Sequence, residues 1–96
     1  MFARVSTMQA SPDQVDELAR RFQEQADPIV RQLSGFKGVY WLAHRQAATV
    51  LGVALWESEE AMRANETEIE PRRKATVQAV GAMLQSVEAY EVIAQA

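Results

Sequence analysis

Cysteine is absent from the 96-residue chain. That excludes a disulfide framework, a thiolate metal site and thiol catalysis. Histidine occurs once, as His44, so no histidine-rich metal cluster can form within the chain. No apolar run approaches the roughly 20 residues of a membrane span. The opening Met1-Phe2-Ala3-Arg4-Val5 lacks the long apolar core of a secretory signal. The expectation from both is a soluble, cytoplasmic protein with no membrane partner. A basic excess is missing as well. Ten Lys and Arg stand against 13 Asp and Glu, interspersed, for a formal charge of −3. That balance argues against a nucleic-acid partner. There is no repeat, linker, low-complexity stretch, phosphate loop, dinucleotide fingerprint or GxSxG elbow.

The length suits one domain over residues 1–96. Apolar residues make up 48% of the chain, while a domain this small buries only about two thirds of its unfolded surface. Another subunit is therefore expected to cover some of them.

Phe2 to Met8 reads as a strand, with no breaker. Ser11-Pro12-Asp13-Gln14 has the form of a capping box with proline at the first helical position. Val15, Leu18, Ala19, Phe22, Ala26, Ile29, Val30 and Leu33 continue at helical spacing. Pro28 should kink or restart that helix, with Asp27 as a second cap. Gly35-Phe36-Lys37-Gly38 turns the chain. Val39 to His44 and Thr49 to Trp56 read as a hairpin joined by Arg45-Gln46-Ala47-Ala48. Ser58 caps a second helix, and Glu59 and Glu60 suit its dipole. Pro71 is expected to interrupt it, with a second half from about Arg72 to Leu84, and Val87 to Ile93 is the last strand. The order β-α-β-β-α-β is that of the ferredoxin-like α+β fold, with both helices on one face of an antiparallel sheet.

The other face should then be polar, yet it is not. In the third strand Val50, Gly52, Ala54 and Trp56 oppose Leu51, Val53 and Leu55. In the second, Val39, Trp41 and Ala43 oppose Tyr40 and Leu42. A second copy of the chain is the simplest cover for the far face, which predicts a homodimer. Scattered surface apolar residues on a monomer are the bland alternative.

Gly52 and Ala54 leave space between sheet and helix, beside the bulky Trp56. Met62, Asn65 and Ile69 share one face of the second helix and set a polar group in an apolar stripe. With Phe22 of the first helix, these residues are expected to line a small-molecule pocket. Each also has a plainer reading: Trp56 as core, Asn65 as a helix-end residue, Gly52 as a bulge. His44, at the end of its strand, is a candidate proton acceptor or simply solvated. Glu57, Glu59, Glu60, Glu66, Glu68 and Glu70 read as a solvated face; Arg72-Arg73-Lys74 reads as their surface partners, with a site for an anionic substrate as the alternative. Gly35-Phe36-Lys37-Gly38 lies between a helix and a strand, unlike the RNA clamp of KH domains. The third strand lacks the paired aromatics of an RNA-recognition motif.

From Gly35 to Asn65 the chain resembles the antibiotic biosynthesis monooxygenase domain of the dimeric α/β-barrel superfamily. The features that carry the resemblance are Gly35-Phe36-x-Gly38, the hairpin, Trp56-Glu57-Ser58-Glu59-Glu60-Ala61 and the closing Tyr90-Glu91-Val92. The resemblance implies a dimeric barrel. From the quinone-forming branch it implies oxidation of a small aromatic or phenolic compound by dioxygen, with no metal or flavin cofactor. Trp56 and Asn65 match that branch's tryptophan and asparagine and would be catalytic. Its pocket asparagine and tyrosine fall on Gly52 and Met62, which leaves open a domain that binds without turnover or one that is only structural. The haem-degrading branch fits worse, because its three marker residues fall near Ala3, on Asn65 and near Ala75.

Overall fold

The computed structural model describes residues 1–26 and 29–96. Its elements are β1 (Phe2–Gln9), α1 (Pro12–Ala26), a 3-10 turn (Val30–Gln32), β2 (Phe36–His44), β3 (Thr49–Trp56), α2 (Glu59–Val80) and β4 (Met83–Glu91). The strand order is β2-β3-β1-β4, with every neighbouring pair antiparallel. Each helix therefore crosses from one strand to a parallel one two places away, the split βαβ arrangement of the ferredoxin-like fold.

Local chemistry accounts for most element ends. Ser11 N–H donates to Gln14 Oε1 at 2.9 Å, one half of a capping box. Ser58 Oγ accepts from Ala61 N–H at 3.1 Å and starts α2. Gly81, at φ 82°, ends it, and Ala82 N–H reaches back to Val77 carbonyl at 3.1 Å, a Schellman closure. The α1 end of the sheet packs Met8, Leu18, Phe22, Val50 and Val77 into one core.

Four expectations need correction. The first helix ends at Ala26 rather than near Leu33, and a separate 3-10 turn follows. The expected kink at Pro28 and cap at Asp27 lie outside the described residues. The second strand begins at Phe36, because the irregularity at Gly38, φ 140°, lets Phe36 keep its pairing with Trp56. Pro71 does not interrupt α2, which runs 22 residues through it. Proline removes the bond to the Thr67 carbonyl. Thr67 and Pro71 are both exposed, so water can replace that partner, while buried Arg73, Thr76 and Val77 hold the following turns down. The last strand is Met83–Glu91 because its partner β1 ends at Phe2, opposite Glu91, and leaves Ile93 90% exposed.

One contact sets how α2 meets the sheet. Gly35 has φ 83°, and a Cβ there would lie 2.6 Å from Ala61 Cβ. Glu57 N–H donates to the Gly35 carbonyl at 2.8 Å. Gly35→Ala adds left-handed strain and a steric clash, and is expected to cost about 3 kcal/mol in urea denaturation. Ala61→Gly in that background should recover the steric share and leave the backbone share.

Candidate functional site

Alternation along the strands divides the sheet. Arg4, Ser6 and Met8 of β1 stand opposite Ala54, Gly52 and Val50 of β3, and Gly52 stands opposite Trp41 of β2. These residues face the helices. With only a hydrogen at Gly52 and a methyl at Ala54, the sheet cannot fill the space below α1 and α2. A cavity of about 90 Å³ remains, partly open to the surface.

Its apolar wall includes Phe22, Phe36, Trp41, Gly52, Ala54 and Ile69. Phe22 and Trp41 stack with ring centroids 5.5 Å apart and 9° between planes. Trp56 lies behind Phe36, edge to face at 5.5 Å, and is 1% exposed. The polar part of the lining is Arg4, Ser6, Gln25, Arg72 and Arg73. Gln25 Oε1 accepts the Thr76 hydroxyl at 2.8 Å, which leaves its NH2 as the donor end.

Three charges form one unit at this wall. Glu66 Oε1 lies 2.6 Å from Arg73 Nη1, and its Oε2 lies 2.8 Å from Arg4 Nε. The first contact is a directed hydrogen bond. The second is an ion pair without one, so Arg4 Nε is a buried donor lacking an acceptor. Glu66 and Arg73 had been expected on the solvated face. They instead continue the stripe of Met62 and Ile69, at spacings that turn inward on a helix, and their charges make burial tolerable by pairing with β1. Arg72 keeps the expected surface partner, Glu68, at 2.8 Å, and Lys74 keeps Glu70 at 3.0 Å. On the far side of Arg4 and Arg73 is a second recess of about 210 Å³, under β4, which Glu66, Glu70 and Lys74 also border. Outside the cavity, Glu17 is held down to about 2 by hydrogen bonds from Arg20 and then Arg21. Asp16 is lowered by its hydrogen bond from Arg45.

The structure brings four of the sequence candidates to the cavity lining: Phe22, Gly52, Ala54 and Ile69. Met62 is 1% exposed and packs outside that lining. Asn65 donates to the Ser34 carbonyl at 3.0 Å and to the Ala61 carbonyl at 2.8 Å. The first bond braces α2 against the turn before β2, and the second stays within the helix. His44 pairs with Thr49 on the opposite face of the sheet, and its Nδ1 accepts the Ala47 N–H at 3.1 Å. It does not meet Trp56 or Asn65. Sequence reasoning passed over Arg4 and Trp41, and weighed Arg73 only as part of the basic run Arg72-Arg73-Lys74. A charged residue at each of two buried-stripe positions, 66 and 73, was the available signal. Among the described residues no three His, Cys, Asp or Glu side chains converge as metal ligands, and no helix is long and apolar enough to cross a membrane.

Residues 1–68 match the antibiotic biosynthesis monooxygenase family, and the chain belongs to it. The uncharacterized proteins Rv2557 and Rv2558 of Mycobacterium tuberculosis are similar in sequence. The first is 28% identical over 94 residues, covering 98% of this chain and 42% of that protein. The second is 32% identical over 73 residues, covering 76% and 31%. The chain therefore spans less than half the length of these relatives. Among solved structures, a monooxygenase of Streptomyces coelicolor in complex with nanaomycin D aligns at TM-score 0.74 and 21% identity, over 99% of this chain and 92% of that one. The heme-degrader MhuD of Mycobacterium tuberculosis, with two hemes bound in its active site, aligns at 0.75 and 22%, over 100% and 99%. A dimeric ferredoxin-like protein from an uncultured marine organism aligns at 0.77 and 12%, over 99% and 97%. At these identities the likeness establishes a shared fold.

Glu66→Gln would leave two buried guanidinium groups without their carboxylate. It is expected to lower stability by about 3–5 kcal/mol, read from chemical denaturation. Glu70→Gln, whose partner Lys74 stands in solvent, should leave the midpoint nearly unchanged.

Proposed function

We propose that this chain is a cofactor-independent monooxygenase that oxidises a small aromatic or phenolic compound with dioxygen as co-substrate. Membership of the monooxygenase family supports the reaction class. The single observation that carries the reading is an aromatic-walled cavity with guanidinium groups on its polar side. A ring stacks against Phe22 and Trp41. A neighbouring guanidinium favours the phenolate over the phenol, and the phenolate is the form that passes electrons to dioxygen. When a ring CH2 becomes a carbonyl, one oxygen atom stays on carbon and the other leaves as water with the two hydrogens. That balance needs no external reductant. Exclusion of water by the apolar wall protects the intermediate. In this reading Trp56 supports Phe36 and Asn65 positions the wall, both one layer out from the substrate. No proton-accepting role falls to His44.

One observation favours the alternative of a binding domain without turnover. Both Asn65 amide hydrogens are committed to backbone carbonyls, and among the described residues the lining carries no carboxylate or histidine.

We also propose that a second copy covers the open sheet face. Val5, Val53 and Tyr40 lie side by side there, as do Thr7, Leu51 and Leu42. Tyr40 is 64% and Leu42 50% exposed. This apolar stripe, half-buried at Val5, Leu51 and Val53 and exposed at Tyr40 and Leu42, has the form of an interface. The fold neighbour described as dimeric agrees with it. Light scattering should give twice the mass of one chain, and Val53→Asp should give monomer or unfolded protein. A monomeric wild type would reject the dimer.

Oxygen uptake with a panel of anthrone- and hydroquinone-type phenols tests the chemistry. Uptake above the uncatalysed rate is expected, with kcat/KM falling about fivefold in Trp41→Leu, since an aromatic pair contributes roughly 1 kcal/mol beyond its buried area. Saturable binding of the phenols without uptake would instead establish the binding domain.

A further inference from the structure

The cavity wall is electrically unbalanced. Among the described residues three arginines line it, Arg4, Arg72 and Arg73, and no Asp or Glu does. Glu66 pairs with both Arg4 and Arg73 from behind the wall, Glu68 pairs with Arg72, and Glu70, paired with Lys74, adds a weaker attraction to Arg73, so the carboxylates of this cluster remain one short of its cations. The surplus is not at the surface: the side chains of Arg73 and Arg4 are 8% and 16% exposed. A buried charge without an equal partner is costly. The Gln25 NH2 is a further donor on the same wall. The polar side of this cavity therefore offers donors and positive charge almost exclusively.

From this geometry we infer that the cavity takes a small aromatic acid, a single ring whose carboxylate is held by Arg4, Arg72 and Arg73. The inference rests on reading the cavity as the ligand site and narrows the ligand class. A carboxylate is planar and matches guanidinium forks with two parallel hydrogen bonds. Phe22, Phe36 and Trp41 give the ring an aromatic wall to pack against. Size sets the ring count. A closed cavity of roughly 150 Å³ takes one benzene, and drug-sized ligands need roughly 300–1,000 Å³. This cavity has about 90 Å³ and is partly open. One ring fits with part of the ligand at the mouth, where Arg72 is 40% exposed. A larger ring system would have to extend through the open mouth.

Benzoate and benzamide test this, because they share a shape and differ in charge. Each is titrated into the purified protein by calorimetry, with tryptophan fluorescence alongside, at low and high salt. Benzoate is expected to bind at least about tenfold tighter than benzamide, since hydrogen bonds to charged groups contribute roughly 1.5–3 kcal/mol, and the preference should shrink with salt. Arg73→Gln is the direct variant but risks the fold. Arg72→Gln, at the mouth, keeps the core intact and should reduce benzoate affinity while leaving benzamide affinity unchanged. Equal affinity for the two probes, binding of neither, or a preference untouched in Arg72→Gln would each overturn the inference. Its failure is separable from that of the oxygenase reading. Uptake with neutral phenols but no acid preference overturns only the anion site. A strong acid preference without any uptake overturns only the oxygenase.

Discussion

Glu66 is one carboxylate between two guanidinium groups, and the interior of this protein is arranged around that imbalance. Its two oxygens reach Arg73, about two turns along the same helix face, and Arg4, on the central strand β1. The contact draws the middle of α2 down onto the sheet and partitions the space beneath it into two recesses. It also leaves a positive remainder facing the cavity. In a low-dielectric setting such a remainder acts at longer range than it would in water. The same triad is thus a structural tie and the source of the cavity's polarity.

The cavity gains definition from elements that are themselves held at both ends. α2 begins at the Ser58 cap, where Gly35 approaches Ala61 and Asn65 grips the Ser34 carbonyl. It ends at Gly81, where Gln14 of α1 donates to the Val80 carbonyl at 3.3 Å. The opposite wall is two central strands in continuous register. Side chains carried on such supports keep their positions when a ligand enters, which is the condition for selective binding.

Much of this was legible in the residues. β3 spans Thr49–Trp56 as its unbroken β-branched and apolar run indicates, and α2 begins at its serine. Gly52 and Ala54 signal missing volume directly. The charged members of the wall were harder to see. A glutamate and an arginine on a helix crowded with surface pairs read as two more of them, and only their phase with Met62 and Ile69 distinguishes them. Arg4 could not be assigned from its strand, because its partner is distant in sequence. Trp56 and Asn65 drew attention by type and spacing, yet the first packs behind a wall residue and the second spends its donors on backbone. Pro71 misled because the cost of a lost helical bond depends on whether water reaches the orphaned carbonyl, a property of the folded surface.

Gly52 has a consequence of its own. Its backbone is not in the left-handed region, and a Cβ there would meet Trp41 Cδ1 at 3.4 Å and Met8 Cε at 3.8 Å, both ordinary contacts. Nothing in the local backbone demands glycine. The position can therefore gain a methyl group by mutation and lose it again without disturbing the strand, with each step changing the depth of the cavity and leaving the guanidinium wall in place. Ligand size and ligand charge are inherited through different residues, so among descendants of this chain the one can drift while the other is kept.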